Sequence, residues 1–292
     1  MFFAATAQDS SGYRSEEIIY GRKDGLALTM MKFSPSENSK GKAVISVVSG
    51  NWVSNYGQIP GFARRSQHFI KAGYTVFLVM HGSQPRYDIS DEVTDIKRAV
   101  RFIRYNAKSY GIDPGKIGIT GSSSGGHLSL MTALASDSIN IVAKDPIDRI
   151  SSRVQAAAVF FPPTDFLNWG KANTGINREA IKRARVAGAF DFKLLSDSTG
   201  MYEHLTGSDA NMKIGKLMSP VNHVSADDPP VLVIHGDADP VVPLQQSQTL
   251  VQKLKTAGVV HELIIKPGGG HGWPKNESEE KKFADWFDKY LK

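Results

Sequence analysis

Short runs of consecutive apolar and β-branched residues recur along this 292-residue chain, separated by stretches with helical spacing. Three of these runs cover residues 43–48, 74–80 and 231–234. Continuous apolar runs of this length are typical of strands buried on both faces, and such strands belong to parallel sheets covered by helices. The alternation therefore predicts an α/β fold, with a mostly parallel central sheet flanked by helices.

A hairpin and two helices are predicted beside these strands. Apolar runs at residues 16–20 and 26–33 flank Asp24-Gly25, a dipeptide typical of tight turns, so we expect two antiparallel strands at one edge of the sheet. Apolar residues recur every three or four positions across residues 91–110, which predicts a helix with one buried face. Residues 62–72 are predicted to form another helix, because a glycine follows them.

The alternation of strands and helices stops between residues 166 and 222, a polar stretch rich in Asn, Lys and Ser. An insertion of this size between two strands is typical of a lid or of a cap that faces the substrate. We therefore expect one domain over residues 16–292, with a cap-like insertion at about 166–222.

The first fifteen residues differ from the rest of the chain. Residues 1–15 contain a short apolar stretch that ends in Ala5-Thr6-Ala7, which matches the small-x-small pattern of a signal-peptide cleavage site. We expect this segment to be the remnant of a secretion signal or a disordered tail, and the protein to be secreted or periplasmic. The alternative is an ordinary chain end with no targeting role.

The composition of the chain excludes several classes of protein. There is no cysteine, which rules out disulfides, thiolate metal sites and a cysteine nucleophile. The formal net charge is +6, but the basic residues do not form a nucleic-acid-binding motif, and no stretch is apolar enough to span a membrane. The His, Asp and Glu residues show no metal-ligand spacing. We expect no metal, no cofactor, no nucleic-acid partner and no membrane association.

A candidate nucleophile lies between a predicted strand and a predicted helix. Residues 121–125 read Gly-Ser-Ser-Ser-Gly and match Gly-x-Ser-x-Gly with Ser123 at the centre. A nucleophile at the tip of a strand needs a sharp turn into the following helix, and the two glycines leave room for that turn. The helix N-terminus also supplies free N–H groups that favour developing negative charge. Ser123 is therefore the predicted nucleophile, and Ser124 in a shifted register is the alternative.

A serine hydroxyl needs a base, and the base needs a carboxylate that orients it. His271 lies among four glycines directly after the last predicted strand, and Asp239 directly follows the strand at residues 231–234. Asp237 is the competing carboxylate, because it also follows that strand. The carboxyl ends of parallel strands lie at one edge of a sheet, so we expect Ser123, Asp239 and His271 to meet there.

The order serine, acid, histidine with a Gly-x-Ser-x-Gly elbow resembles the α/β-hydrolase fold. Residues 121–127, Gly-Ser-Ser-Ser-Gly-Gly-His, are similar to the elbow of the hormone-sensitive-lipase-like and feruloyl-esterase-like esterases. Residues 235–243 read His-Gly-x-x-Asp-x-x-Val-Pro and resemble the acid loop shared with the prolyl-oligopeptidase-like branch. The resemblance covers most of the chain from about residue 43 onward, apart from the insertion, and it implies a serine esterase.

The sequence departs from this family at the position of the oxyanion hole, the set of N–H groups that stabilises the negatively charged intermediate. These esterases usually carry His-Gly-Gly-Gly after an early strand, whereas this chain has Ser49-Gly50-Asn51-Trp52. The donors are backbone N–H groups, so other side chains at these positions need not abolish the hole. The resemblance therefore implies the N–H groups of Asn51, Trp52 and Ser124 as oxyanion donors.

The residues and the resemblance together predict a serine hydrolase that cleaves carboxylic esters through an acyl-enzyme intermediate. Its substrate would be a small-molecule or saccharide ester, because the resemblance includes feruloyl and acetylxylan esterases. Two alternatives stay open: a serine peptidase of the prolyl-oligopeptidase-like branch, and a non-catalytic relative used for binding. His81 and His127 are interpreted as structural residues.

Overall fold

A mixed sheet of nine strands lies at the centre of the structure, a computed structural model. The residues described are 7–8, 12–135, 139–172, 175–176, 178–205, 208–273 and 277–292. The strands are β1 (Ala7–Gln8), β2 (Tyr13–Lys23), β3 (Leu26–Pro35), β4 (Ala43–Val47), β5 (Thr75–Val79), β6 (Ile117–Ser122), β7 (Ala156–Phe160), β8 (Lys193–Leu195), β9 (Tyr202–His204), β10 (Val231–Gly236) and β11 (His261–Lys266). The α-helices are α1 (Ile59–Arg65), α2 (Gln67–Lys71), α3 (Ile89–Tyr105), α4 (Ser124–Leu134), α5 (Arg178–Arg183), α6 (Ser208–Leu217), α7 (Gln245–Thr256) and α8 (Glu277–Tyr290).

The order of strands across the sheet is β1-β2-β3-β5-β4-β6-β7-β10-β11. The strands from β5 to β11 in this order run parallel, whereas β1, β2 and β3 pair antiparallel. Asp24 and Gly25 join β2 to β3 with φ values of 47° and 78°, as a tight hairpin turn requires. The predicted α/β fold and the antiparallel hairpin at one edge of its sheet are confirmed.

Side chains of the parallel strands alternate between two apolar layers. In β4, Ile45 belongs to the layer that includes α3, α4 and α7, whereas Val44 belongs to the layer that includes α1, α2 and α8. All five residues of β4 are buried. A strand buried on both faces is predominantly apolar, as β4 is apart from Ser46, which is why the apolar runs predicted these strands correctly.

Two of the helices differ from their predicted bounds. The single helix predicted over residues 62–72 is wrong, because the backbone at Ser66 departs from helical geometry (φ −91°, ψ −1°) and separates α1 from α2. Helix α3 begins two residues earlier than the pattern indicated. The Asp88 carboxylate accepts hydrogen bonds from the N–H groups of Ser90 and Asp91 at 2.8 and 3.2 Å, and thereby caps the helix before its apolar repeat starts.

The described part of the N-terminus pairs with the sheet. Ala7–Gln8 form β1 beside β2, which begins at Tyr13, so regular structure starts before the domain boundary expected at residue 16. Residues 1–6 and 9–11, which contain most of the expected signal remnant, lie outside the described residues. Within the described ranges, no helix combines the length and apolar character that crossing a membrane requires.

The insertion at residues 166–222 leaves the sheet after β7 and returns to it before β10. Its described parts contain α5, α6 and the antiparallel pair of β8 and β9. Phe166 and Phe190 of the insertion are buried, and their rings contact Trp52 with centroid separations of 6.0 and 5.4 Å. The insertion therefore packs against the loop that follows β4, at the edge where the parallel strands end.

Candidate active site

Ser123 occupies the turn between β6 and α4. Its backbone has φ 54° and ψ −123°, a conformation that residues with a side chain rarely adopt. Two hydrogen bonds hold the turn: the Ser123 N–H donates to the carbonyl of Phe160 in β7 at 3.0 Å, and the Ser123 carbonyl accepts from the His127 N–H at 2.9 Å. Ser123 therefore lies at the carboxyl edge of the sheet, immediately before the N-terminus of α4.

Two glycines leave room for this turn. A Cβ atom on Gly121 would overlap the carbonyl oxygen of Gly125, and a Cβ atom on Gly125 would lie 2.9 Å from the carbonyl oxygen of Val47 in β4. Both contacts involve backbone atoms, which cannot rotate away as the end of a flexible side chain can. The Gly-x-Ser-x-Gly spacing thus follows from the close approach of β6, α4 and β4.

We expect Gly121→Ala to lower the free energy of unfolding by about 3 kcal/mol, because the added methyl group must displace backbone in a closely packed turn. Gly61→Ala is the matched control, since a Cβ at Gly61 has no heavy atom within 4 Å. In helix α1 that change is expected to stabilise the protein by up to about 1 kcal/mol. Urea denaturation followed by circular dichroism measures both variants, and equal stability of the two would contradict this explanation of the motif.

The loops after β10 and β11 approach each other backbone to backbone. A Cβ atom on Gly236 would overlap the carbonyl oxygen of Gly269, and the same carbonyl accepts a hydrogen bond from the N–H of Ala238 at 3.0 Å. Side chains at these glycines would hold the two loops apart. Because Asp239 and His271 lie in these loops, the approach brings their side chains together.

Three side chains form a continuous series of hydrogen bonds at this edge of the sheet. Nδ1 of His271 lies 2.8 Å from Oδ2 of Asp239, and Nε2 of His271 lies 3.0 Å from Oγ of Ser123. A carboxylate only accepts, so Nδ1 carries a proton and Nε2 of the neutral ring accepts from the serine hydroxyl. The Asp239 side chain is fully buried. The structure thus brings together the three residues that the sequence analysis selected.

Asp239, rather than Asp237, contacts His271. Oδ1 of Asp239 accepts hydrogen bonds from the N–H groups of Val241 and Val242 at 2.8 and 2.9 Å, so the orientation of the carboxylate is fixed. Asp237 instead accepts a hydrogen bond from a backbone N–H at the start of the glycine-rich loop, at 2.7 Å. One carboxylate therefore orients the imidazole, and the other helps to hold the loop that carries it.

Asn51 and Trp52 form a tight turn shortly after β4. Both residues have positive φ values, 54° and 55°, and two hydrogen bonds of 3.0 Å between Gly50 and Val53 close the turn. No acceptor in the described part of the chain pairs with the N–H groups of Asn51 and Trp52. Neither N–H group is therefore used in a hydrogen bond of the described fold.

Helix α4, which begins at Ser124, packs against the turn that follows β4. The hydroxyl groups of Ser124 and Ser49 are 3.0 Å apart, and the indole N–H of Trp52 donates to Nδ1 of His127 in α4 at 3.3 Å. The turn that carries Asn51 and Trp52 is thus held against α4, which begins at Ser124 directly after Ser123.

Two histidines that the sequence analysis interpreted as structural are fully buried. Nε2 of His127 donates to the Met218 carbonyl at 2.8 Å while its Nδ1 accepts from Trp52, and burial lowers the pKa of His127 from 6.5 to about 4. His81 lies directly after β5 beside the buried Glu92, and burial lowers its pKa to about 4 as well. Both rings are neutral at pH 7.

We expect His127 to destabilise the fold progressively as the pH falls from 6.5 to about 4. In this window the unfolded chain binds a proton at His127 whereas the folded chain does not, so this histidine lowers the free energy of unfolding by up to about 1.4 kcal/mol per pH unit. Urea denaturation at several pH values measures the effect. His127→Asn removes one titrating group and should flatten the pH dependence, and an unchanged slope in this variant would contradict the assignment.

A further buried histidine, His235, lies behind Asp239 and was placed in the acid-loop motif by the sequence analysis without a role. Nε2 of His235 donates to the Val242 carbonyl at 2.9 Å, its Nδ1 accepts from the Ser247 hydroxyl at 2.6 Å, and burial lowers the pKa of His235. The ring thereby fixes the loop that carries Asp239. Its sequence signal is the first position of the His-Gly-x-x-Asp motif, which does not by itself distinguish a loop support from an ordinary core residue.

A mostly parallel sheet in this strand order, with a serine after β6, a carboxylate after β10 and a histidine after β11, defines the α/β-hydrolase class. The chain belongs to the BD-FAE family, whose model matches residues 31–254. Among solved structures, a truncated carbohydrate esterase from gut microbiota is 27% identical with a TM-score of 0.77, over 97% of this chain and 98% of that chain.

Several of the curated relatives carry names from ester hydrolysis. A probable carboxylic ester hydrolase of Mycobacterium tuberculosis, LipM, is 31% identical over 68% of this chain and 44% of its own length. The esterase LipQ of the same organism is 29% identical over 74% of this chain and 46% of its own length. An acetylxylan esterase of Xylanibacter ruminicola is 25% identical over 90% of this chain and 45% of its own length. The chain spans about half the length of the curated relatives it matches.

Proposed function

We propose that this protein is a serine hydrolase that cleaves carboxylic esters through an acyl-enzyme intermediate. The observation that carries the proposal is the pair of hydrogen bonds that link His271 to Ser123 at 3.0 Å and to Asp239 at 2.8 Å. This is the arrangement in which a base activates a serine and a carboxylate orients the base. Membership of the BD-FAE family and similarity to the named esterases support ester hydrolysis in particular.

Acylation starts with the Ser123 hydroxyl. Nε2 of His271 takes its proton while Oγ bonds to the carbonyl carbon of the ester, and Asp239 stabilises the imidazolium that forms. The carbonyl oxygen becomes an oxyanion in the tetrahedral intermediate. The imidazolium then gives its proton to the ester oxygen of the leaving group, the bond from the carbonyl carbon to that oxygen breaks, and the alcohol departs from the acyl-enzyme.

The N–H groups of Asn51, Trp52 and Ser124 are the proposed donors to the oxyanion. Each preorganised donor of this kind lowers the activation free energy by about 3 kcal/mol, because it points at charge that develops only in the transition state. In deacylation His271 takes a proton from water, the resulting hydroxide attacks the acyl carbon, and Ser123 regains its proton as the carboxylic acid leaves. The same three N–H groups stabilise this second oxyanion.

We propose esters of saccharides with small acyl groups, acetyl or feruloyl, as the substrate class. The support comes from the carbohydrate esterase and the acetylxylan esterase to which the chain is similar. The insertion at residues 166–222 is the proposed cap, because Phe166 and Phe190 pack on Trp52, one of the proposed oxyanion residues. Substitutions in this segment would then change which alcohol or acyl group of an ester reaches Ser123.

A panel of substrates tests the proposal. The purified protein is assayed with p-nitrophenyl acetate, butyrate and octanoate, with methyl ferulate, with acetylated xylo-oligosaccharides and with an aminoacyl p-nitroanilide. We expect hydrolysis of the acetyl esters, none of the anilide, and loss of every activity in Ser123→Ala. Faster cleavage of the anilide than of any ester would favour the peptidase alternative, and activity towards none of the substrates would favour a binding protein.

We also propose that the protein is exported, and the support is the Ala5-Thr6-Ala7 pattern near the N-terminus. Fractionation of the producing cells tests this, since an exported protein accumulates in the medium or the periplasm. Recovery of the protein only from the cytoplasmic fraction would contradict it.

A further inference from the structure

A short segment after β5 lies along the turn that carries Asn51 and Trp52. The backbone N–H of Gln84 donates to the carbonyl of Trp52 at 3.2 Å. One residue earlier, the Ser83 hydroxyl donates to the Ser54 carbonyl at 2.9 Å and accepts from the Ser54 N–H at 2.8 Å. The turn after β4 is therefore supported along its length by residues that are about thirty positions away in the sequence.

The side chain of Gln84 uses both ends of its amide group. Nε2 donates to the carbonyl of Asn51 at 2.8 Å and to the carbonyl of Arg185 in the insertion at 3.0 Å. Oε1 accepts a hydrogen bond from the N–H of Ala189, also in the insertion, at 3.3 Å. One carboxamide thus connects the turn after β4 with two points of the insertion.

The bond to the Asn51 carbonyl determines where the N–H of Trp52 points. These two groups belong to one planar peptide unit, in which the C=O and the N–H point in opposite directions. A donor fixed on the C=O therefore fixes the direction of the N–H. This support matters here because both residues of the turn have positive φ values, which are unfavourable for residues with a Cβ atom.

We propose that Gln84 is a positioning residue that orients the Trp52 N–H towards the oxyanion. Its side chain also connects the turn at Asn51 and Trp52 to the insertion. This inference rests on the proposed esterase function, in which Trp52 supplies an oxyanion donor. Gln84 touches neither Ser123 nor His271 in the hydrogen-bonded series, so its effect is on the stabilisation of the transition state and not on the base. The position of the insertion and the backbone conformation of the turn at Asn51 and Trp52 are therefore coupled through the Gln84 side chain.

Two substitutions test the role of Gln84. Gln84→Ala removes all the side-chain hydrogen bonds, and Gln84→Glu keeps an acceptor for the Ala189 N–H but cannot donate to the carbonyls of Asn51 and Arg185 while it is ionised. We expect kcat for p-nitrophenyl acetate to fall about 10- to 100-fold in both variants, because a misdirected oxyanion donor loses part of its effect. KM is expected to change by less than about threefold, since the donor acts in the transition state.

Gln155→Ala is the matched control. Gln155 also joins two backbone segments, since its Oε1 accepts from the Ile117 N–H at 3.1 Å and its Nε2 donates to the Arg153 carbonyl at 3.4 Å. Gln155 directly precedes β7 and lies beside the start of β6, at the opposite edge of the sheet from Ser123. We expect its kcat to stay within about twofold of wild type. Thermal melting of each variant establishes that kcat is measured on folded protein.

The pH profile and the rate of phosphonate labelling separate positioning from structural damage. The acid limb of kcat/KM reports the base, so it should be the same in Gln84→Ala as in wild type. Labelling by a fluorophosphonate should slow together with kcat, because the phosphoryl oxygen of the probe accepts hydrogen bonds from the same N–H groups as the oxyanion. Wild-type kcat in folded Gln84→Ala and Gln84→Glu would overturn this inference alone. Inactive wild type, or active Ser123→Ala, would overturn the proposed function and this inference with it.

Discussion

Ser123→Ala is expected to lower kcat for p-nitrophenyl acetate by about 10⁶-fold, by analogy with other serine–histidine–aspartate enzymes. The Ser123 hydroxyl is the only oxygen bonded to Nε2 of His271 in the described residues, so no other side chain there is activated for attack. The change removes one oxygen atom and leaves the backbone of the turn as it is. A continuous assay at high protein concentration, together with circular dichroism and thermal melting, measures the activity and the fold.

Ser122→Ala is the matched control for this experiment. Ser122 precedes the nucleophile at the end of β6, and its substitution removes the same atom from the same turn. We expect its kcat to stay within about threefold of wild type. A folded Ser123→Ala protein that keeps most of the wild-type rate would contradict the mechanism, and so would equal losses of rate in the two variants.

Asp239→Asn is expected to lower kcat by about 10⁴-fold, because it makes His271 adopt the tautomer that cannot act as the base. The N–H groups of Val241 and Val242 donate to Oδ1, so the carboxamide oxygen of an asparagine will stay at that position. Its NH₂ group then faces Nδ1 of His271, which must accept instead of donate. The ring proton consequently moves to Nε2, which can no longer take the proton of Ser123. Steady-state kinetics at pH 7 measure the loss.

Asp237→Asn makes the same chemical change two residues away. The oxygen of an asparagine at this position can still accept the hydrogen bond from the backbone N–H that Asp237 binds at 2.7 Å. We expect kcat within about threefold of wild type, because this side chain does not contact His271. A larger loss of rate in Asp237→Asn than in Asp239→Asn would show that the wrong carboxylate has been assigned.

Much of the fold follows from the sequence because each central strand is buried on both faces. Nearly every side chain of such a strand is apolar, with Ser46 the one polar residue of β4, so the pattern is visible without knowledge of the strand's neighbours. The helix ends were harder to predict. The start of α3 depends on hydrogen bonds that the Asp88 side chain accepts, and the break between α1 and α2 at Ser66 follows no strong local signal.

The candidate catalytic residues were predictable for a related reason. The glycines around Ser123 and His271 mark places where backbones approach closely, and the order of strands places both loops at one edge of the sheet. Gln84 and His235 were not predictable in the same way. Gln84 acts through several hydrogen bonds to segments remote in the sequence, and His235 acts through bonds to Val242 and Ser247 in the loop and helix that follow it. Neither a glycine nor a periodic pattern marks such contacts.

The proposed mechanism requires Oγ of Ser123 to be the nucleophile that attacks the substrate, and a covalent probe tests this most directly. The purified protein is treated with a fluorophosphonate, digested, and examined by tandem mass spectrometry while residual esterase activity is followed. We predict one adduct per chain, located on Ser123, that forms in proportion to the loss of activity. Complete inactivation with Ser123 unmodified, or full activity with Ser123 fully modified, would contradict the account.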